Sequence, residues 1–297
     1  MNRLQRNARS EAVQAALATV AAELTPEGSS GWRLSFINGA AHSVTARTTG
    51  DWLVLEADDF PLAAGPEGCW EALVRNAGLP GPAKIVVSDD GRARVCADLP
   101  LLDEVTLETR IGEAFAGFAG AWSDPDNHPA PAETARDGTG PADLKRLCNE
   151  AGWGFTERAG GRLAVELEVP GSYYQALLLP EGNGVRISCD LAELDGISEA
   201  SQLAIAGLLL AASAHLRLGR ASVNPSASPP VAQFEVRFAT TPCPAEISSS
   251  LECLSVACSL CGEEIKALRD PVVAESHLAL RGRGGIGGAE SNERTAK

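Results

Sequence analysis

Residues 31–57 read GWRLSFINGAAHSVTARTTGDWLVLEA, and 121 positions later residues 152–178 read GWGFTERAGGRLAVELEVPGSYYQALL. Aligned without a gap, Gly31/Gly152, Trp32/Trp153, Gly39/Gly160, Val44/Val165 and Gly50/Gly171 are identical, and Trp52 meets Tyr173. Asn38-Gly39 coincides to within one residue with Gly160-Gly161, and Thr49-Gly50 falls on Pro170-Gly171. Such pairs tolerate φ > 0 and close two-residue hairpins. Each copy therefore reads Gly-Trp, strand, tight turn, strand, turn, aromatic strand, which predicts an antiparallel sheet written twice.

The flanks extend that reading. Ser10 caps a helix over 11–24, with Val13, Leu17, Val20 and Leu24 on one face, and Pro26 and Gly28 end it. Strands are expected at 32–37, 42–48 and 52–57. A short helix follows at 67–77, with Trp70, Leu73, Val74 and Ala77 inward. Strands at 84–88 and 92–97 flank Asp90-Gly91, and a helix over 103–122 carries Leu107, Ile111, Phe115, Phe118 and Trp122. The first half is α-βββ-α-ββ-α.

Residues 123–140, SDPDNHPAPAETARDGTG, lack apolar periodicity and read as a linker. The second half restarts with a helix at 141–151. Leu163, Val165, Leu167 and Val169 then alternate against Ala164, Glu166 and Glu168, a strand buried on one face. Val185, Ile187 and Cys189 mark a further strand, and Ser198 opens a long apolar helix. Residues 222–230 read as a loop or irregular edge strand, 233–239 as a strand, and 245–268 as the last long helix. The expected fold class is α+β, with domains at 1–122 and 141–280 and a disordered tail at 281–297.

Net charge is −14 and the pI is near 4.8. That disfavours nucleic acid and anionic membrane, which attract basic surfaces. The longest apolar run is too short to span a bilayer. The N-terminus is a poor signal peptide, and eight cysteines then read as reduced thiols, so a cytoplasmic location is expected.

Cys243, Cys253, Cys258 and Cys261 are the candidate metal or thiol site, Cys258 and Cys261 having C-x-x-C spacing. Against that, Leu251, Leu254, Cys258, Cys261, Ile265 and Leu268 recur at helical spacing, which makes the two cysteines packing residues. Gly282-Arg283-Gly284-Gly285-Ile286-Gly287 matches G-x-G-x-x-G but lacks the strand before and helix after that a dinucleotide needs. His42, His128, His215 and His277 are scattered; Asp58-Asp59 and Asp89-Asp90 read as turn acids. No catalytic residue, cofactor-binding residue or metal ligand is assigned, and no enzyme activity or cofactor is expected.

The order α-βββ-α-ββ-α, the Gly31-Trp32 and Gly152-Trp153 starts, the hairpin turns and the amphipathic final helices resemble the class I type III secretion chaperones (CesT/SycE-like) and the related YbjN-like proteins, once per half. The resemblance implies a tandem fusion forming a monomeric pseudo-dimer. It would bind an extended segment of a client or effector polypeptide without nucleotide. The alternative is an enzyme or zinc/thiol protein with its site between the two domains.

Overall fold

The computed structural model describes residues 3–28, 30–38, 40–57, 60–63, 65–88, 92–102, 104–123, 141–224 and 227–284. His128, Asp58-Asp59, Asp89-Asp90 and nearly all of the expected linker lie outside them, as do residues 285–297.

The first unit contains α1 (Arg3–Ala18), β1 (Glu23–Glu27), β2 (Gly31–Asn38), β3 (Ala40–Thr49), β4 (Trp52–Ala57), α2 (Pro66–Gly78), β5 (Lys84–Val87), β6 (Ala93–Pro100) and α3 (Glu104–Ala121). The second contains α4 (Pro141–Glu150), β7 (Thr156–Glu157), β8 (Leu163–Val169), β9 (Ser172–Glu181), β10 (Gly184–Glu193), α5 (Glu199–His215), β11 (Arg220–Asn224), β12 (Val231–Phe238), α6 (Pro244–Leu268) and α7 (Pro271–Gly284). Each makes one six-stranded antiparallel sheet, ordered β1-β2-β3-β4-β6-β5 and β7-β8-β9-β10-β12-β11. The two orders are the same, so the fold is α+β with a repeated sheet and flanking helices.

The repeat is real but its phase differs from the gapless alignment. The β3–β4 turn holds Gly50 at φ 61°, and the β9–β10 turn holds Gly182 at φ 59°, an offset of 132 rather than 121. The same offset carries buried Val44 and Ala46 onto Ala176 and Leu178. It also carries Leu53, Leu55 and Ala57 onto Val185, Ile187 and Cys189. Second-unit turns fall at Gly160, Gly171 and Gly182, eleven residues apart. Alignment at 121 therefore matched each hairpin to its neighbour, so residues 31–57 and 152–178 are not superposable counterparts. Trp32 lies in β2 and is buried, whereas Trp153 precedes β7 and is half-buried.

Other differences have local causes. The first helix starts at Arg3 and stops at Ala18, because residues 23–27 pair with β2 as an edge strand despite Pro26. Proline is tolerated on an edge, where its missing N–H faces away from the ladder. Val74 is exposed; α2 instead buries Ala72, Leu73, Asn76 and Ala77. Pro271 opens α7, which reaches Gly284 and takes in the start of the expected tail.

Both sheets bury one face. In the first, Phe36 packs edge-on against Phe115 of α3 at 5.5 Å between centroids and against Trp122 at 6.2 Å, and His42 stacks on Phe36 beside Trp122. In the second, α6 lays Leu251, Leu254, Cys258, Cys261, Ile265 and Leu268 over β8, β9 and β10. Apolar side chains of both units form one continuous core.

Candidate protein-binding site

The cysteines do not converge. Cys243 caps α6, and Cys253 Sγ donates to the Arg217 carbonyl at 3.1 Å. Cys258 Sγ lies 3.4 Å from Cys189 Sγ, and Cys261 is buried one turn on. A contact with Cys258 and burial hold the Cys189 thiol well above its ordinary range, and burial pushes Cys261 up to about 12. Metal ligation and thiol attack need the thiolate, which these surroundings disfavour. Among the described residues no three His, Cys, Asp or Glu side chains group as metal ligands would. His215 ends α5, and the glycine-rich motif begins inside α7 rather than after a strand.

Charge is concentrated instead at the seam between the units, where α2 packs on α5 and β11, and α5 packs on β5. The first residues of β5 and β11 are both fully buried cations, Lys84 and Arg220. Lys84 Nζ crosses to the second unit and donates to the carbonyls of Ser213 (3.1 Å), Leu216 and Gly219. Arg220 crosses the other way, donating to Leu79 (2.6 Å), Ala83 (2.7 Å) and Gly81 (3.1 Å). Each cation thus takes carbonyls in the last turn of a helix of the opposite unit or just past it, where a helix dipole favours positive charge. Each also pairs with an acid of its own sheet, Lys84 with Asp98 at 3.1 Å and Arg220 with Glu235 at 3.0 Å.

The same reciprocity extends to the backbone. Ile85 N–H donates to Asn76 Oδ1 at 2.7 Å, and Ala221 N–H donates to Ser213 Oγ at 2.6 Å. Asn76 Nδ2 then spans the seam to the Ala221 carbonyl at 2.9 Å. Burial alone would raise Asp98, but Lys84 and Arg217 outweigh it and hold its carboxyl below the usual range. Burial pulls Arg220 down to about 10 against the opposing pull of Glu235. A second clamp joins α3 to α6: Arg110 donates to Glu246 at 2.7 and 2.9 Å and to Glu113 at 2.6 Å. The N–H and C=O groups of Ile85 in β5 and Ala221 in β11 are therefore already taken by side chains at the seam.

Among the described residues the outer edges are not covered by a further strand. There β1 pairs only with β2, and its side chains are almost all exposed. β7 is two residues long and covers β8 only at Leu163 and Ala164. The chain before it turns to α6, where Trp153 Nε1 donates to Ser248 Oγ at 3.2 Å. Among the described residues, none pairs as a strand with residues 165–169 of β8 on that side.

The chain matches no protein-family model, no curated protein and no solved structure.

What the site can do follows from its own geometry. As the alternation predicts, Leu34, Phe36, Leu163, Val165 and Leu167 face the cores. Glu166, Glu168 and Tyr173 face outward, Tyr173 being 80% exposed. A sheet edge with one free side supplies N–H and C=O groups to an incoming strand. The seam cations escaped the sequence reading because their partners lie 129 to 141 residues away. No helix among the described residues is long and apolar enough to cross a membrane.

Proposed function

We propose that this chain is a non-enzymatic protein-binding module of the secretion-chaperone kind. It holds an extended segment of a client polypeptide and uses no nucleotide, metal or cofactor. The observation that carries this reading is the asymmetry of the edges. The two like sheets have their inner edge strands covered by α2 and α5, tied across the seam by Lys84 and Arg220, while their outer edges have no further strand among the described residues. A fused pseudo-dimer built this way needs no second copy to complete its core. A client entering as a strand gains backbone hydrogen bonds from the edge, and its side chains add selectivity. The negative net charge favours client segments with Lys or Arg, chiefly by speeding encounter.

Calorimetry with a pool of unstructured synthetic peptides, without nucleotide or added metal, tests the reading. Saturable binding accompanied by slower amide exchange in β1 or β8 is expected. Binding by none of the peptides, with turnover of a small molecule instead, overturns it in favour of an interdomain enzyme.

A further inference from the structure

The two units offer an internal comparison at their outer edges. In the first, the place beside β2 is filled by the five residues of β1. In the second, the matching place beside β8 is filled by only two, Thr156 and Glu157. The second sheet is thus the one with strand positions left open.

The phase of that edge is fixed by its last bonds. Arg158 N–H donates to the Arg162 carbonyl at 2.9 Å, and Thr156 stands opposite Ala164. Backbone groups alternate between the two sides of an antiparallel strand, so the even-numbered residues point outward. The next outward N–H and C=O groups belong to Glu166 and Glu168. Both side chains are exposed on the wet face, and neither has an ion-pair partner among the described residues. Beside them across the ladder stand Gln175 and Tyr173.

The first unit shows how such an edge is satisfied. There the edge strand carries Glu27, whose carboxylate accepts from Arg33 Nε of β2 at 2.6 Å. On the second unit's inner partner Arg33 falls on Ala164, and the next two wet-face places, held by Ser35 and Ile37 in β2, carry the acids Glu166 and Glu168.

Resting on the client-binding reading above, we infer that the outer edge of β8 receives the client. The client segment there is a short strand with Lys or Arg at two alternating positions and an apolar residue between them. The bases stand directly opposite Glu166 and Glu168, at the separation where opposite charges attract across a sheet. The residue between them points to the core face beside Leu167. An aliphatic stem of Lys or Arg also lies along exposed Tyr173, where a cation over the ring adds attraction.

The test uses two labelled synthetic peptides, one alternating Lys and Val and one alternating Glu and Val, with the full chain. Fluorescence anisotropy is expected to show the Lys–Val peptide binding and the Glu–Val peptide not binding. The double variant E166Q/E168Q should weaken the first about fivefold and flatten its salt dependence, since two exposed pairs are lost. The Glu166 and Glu168 amides should slow in hydrogen exchange on binding. Equal binding of both peptides, or an unchanged affinity in E166Q/E168Q, overturns the basic-segment inference while the general client reading stands. If neither these peptides nor the unstructured pool bind, the general reading falls as well.

Discussion

Replacing Arg220 by Met removes the second unit's buried cation while keeping a side chain of similar length. Four hydrogen bonds disappear: one to Glu235 and three to the carbonyls of Leu79, Gly81 and Ala83. Glu235 is fully buried but keeps Arg237 Nη2 at 3.3 Å and Gln233 Nε2 at 3.2 Å, so its charge is not wholly orphaned. The three carbonyls are left in a dry seam. Removing one partner of a buried pair costs about 3–5 kcal/mol, and the surviving partners of Glu235 place this case near 4 kcal/mol. Against a typical stability of about 5–15 kcal/mol that is a large loss, on the order of a 10 °C fall in Tm. Urea denaturation gives the magnitude, and hydrogen exchange gives the location. Residues 79–83 belong to the first unit, yet they should lose protection along with β11. Arg220→Lys keeps the charge but not the fork, so about half the loss is expected. A loss below about 1 kcal/mol in Arg220→Met, or one confined to the second unit, would refute the reciprocal seam.

Three further outcomes follow from the same geometry. A Cβ on Gly117 would stand 2.4 Å from Ala83 Cβ, whereas one on Gly112 meets nothing within 4 Å. Gly117→Ala should therefore cost about 1–3 kcal/mol, while Gly112→Ala should gain up to about 1 kcal/mol; equal effects in thermal melts would contradict the tight approach of α3 to the seam. Asp98 and Glu235 have carboxyl pKa values held below the ordinary range, because nearby cations outweigh burial. Their stabilisation is complete above about pH 4 to 5 and is lost as pH falls through the lower folded values. Asp98→Asn should flatten the acid limb of a stability–pH profile, and an unchanged slope would count against the assignment. In the native protein Cys189, Cys258 and Cys261 should resist a thiol reagent until unfolding, and replacing Cys258 and Cys261 by Ala should cost about 1–2 kcal/mol. Rapid labelling at those sites speaks for a thiol function.

The repeat was legible in the sequence because turn glycines and alternating apolar residues are local signals. Its phase was not. Hairpin steps of constant length let Gly50 match Gly171 as well as Gly182, and only strand pairing distinguishes them. β1 was hidden because Glu-Leu-Thr-Pro-Glu has no buried alternation, as suits an edge strand. The core face of α2 departs from the apolar pattern at Val74 because polar Asn76 faces inward to serve the seam. Lys84 and Arg220 open short strands and look like ordinary surface cations. Only tertiary packing shows that each one binds the other unit. The open edge at β8 was half legible: Glu166 and Glu168 were visible as the wet face, but the shortness of β7 was not.

Native-state hydrogen exchange of the free protein tests the central claim, that two like sheets lock their inner edges and leave the outer ones open. The amides of Ile85 and Ala221 donate to Asn76 and Ser213 in the two halves of the seam. They should exchange only through global unfolding, with the same free energy, while the Glu166 and Glu168 amides exchange fast. Different free energies for Ile85 and Ala221, or slow exchange at Glu166 and Glu168 without a partner, would contradict it.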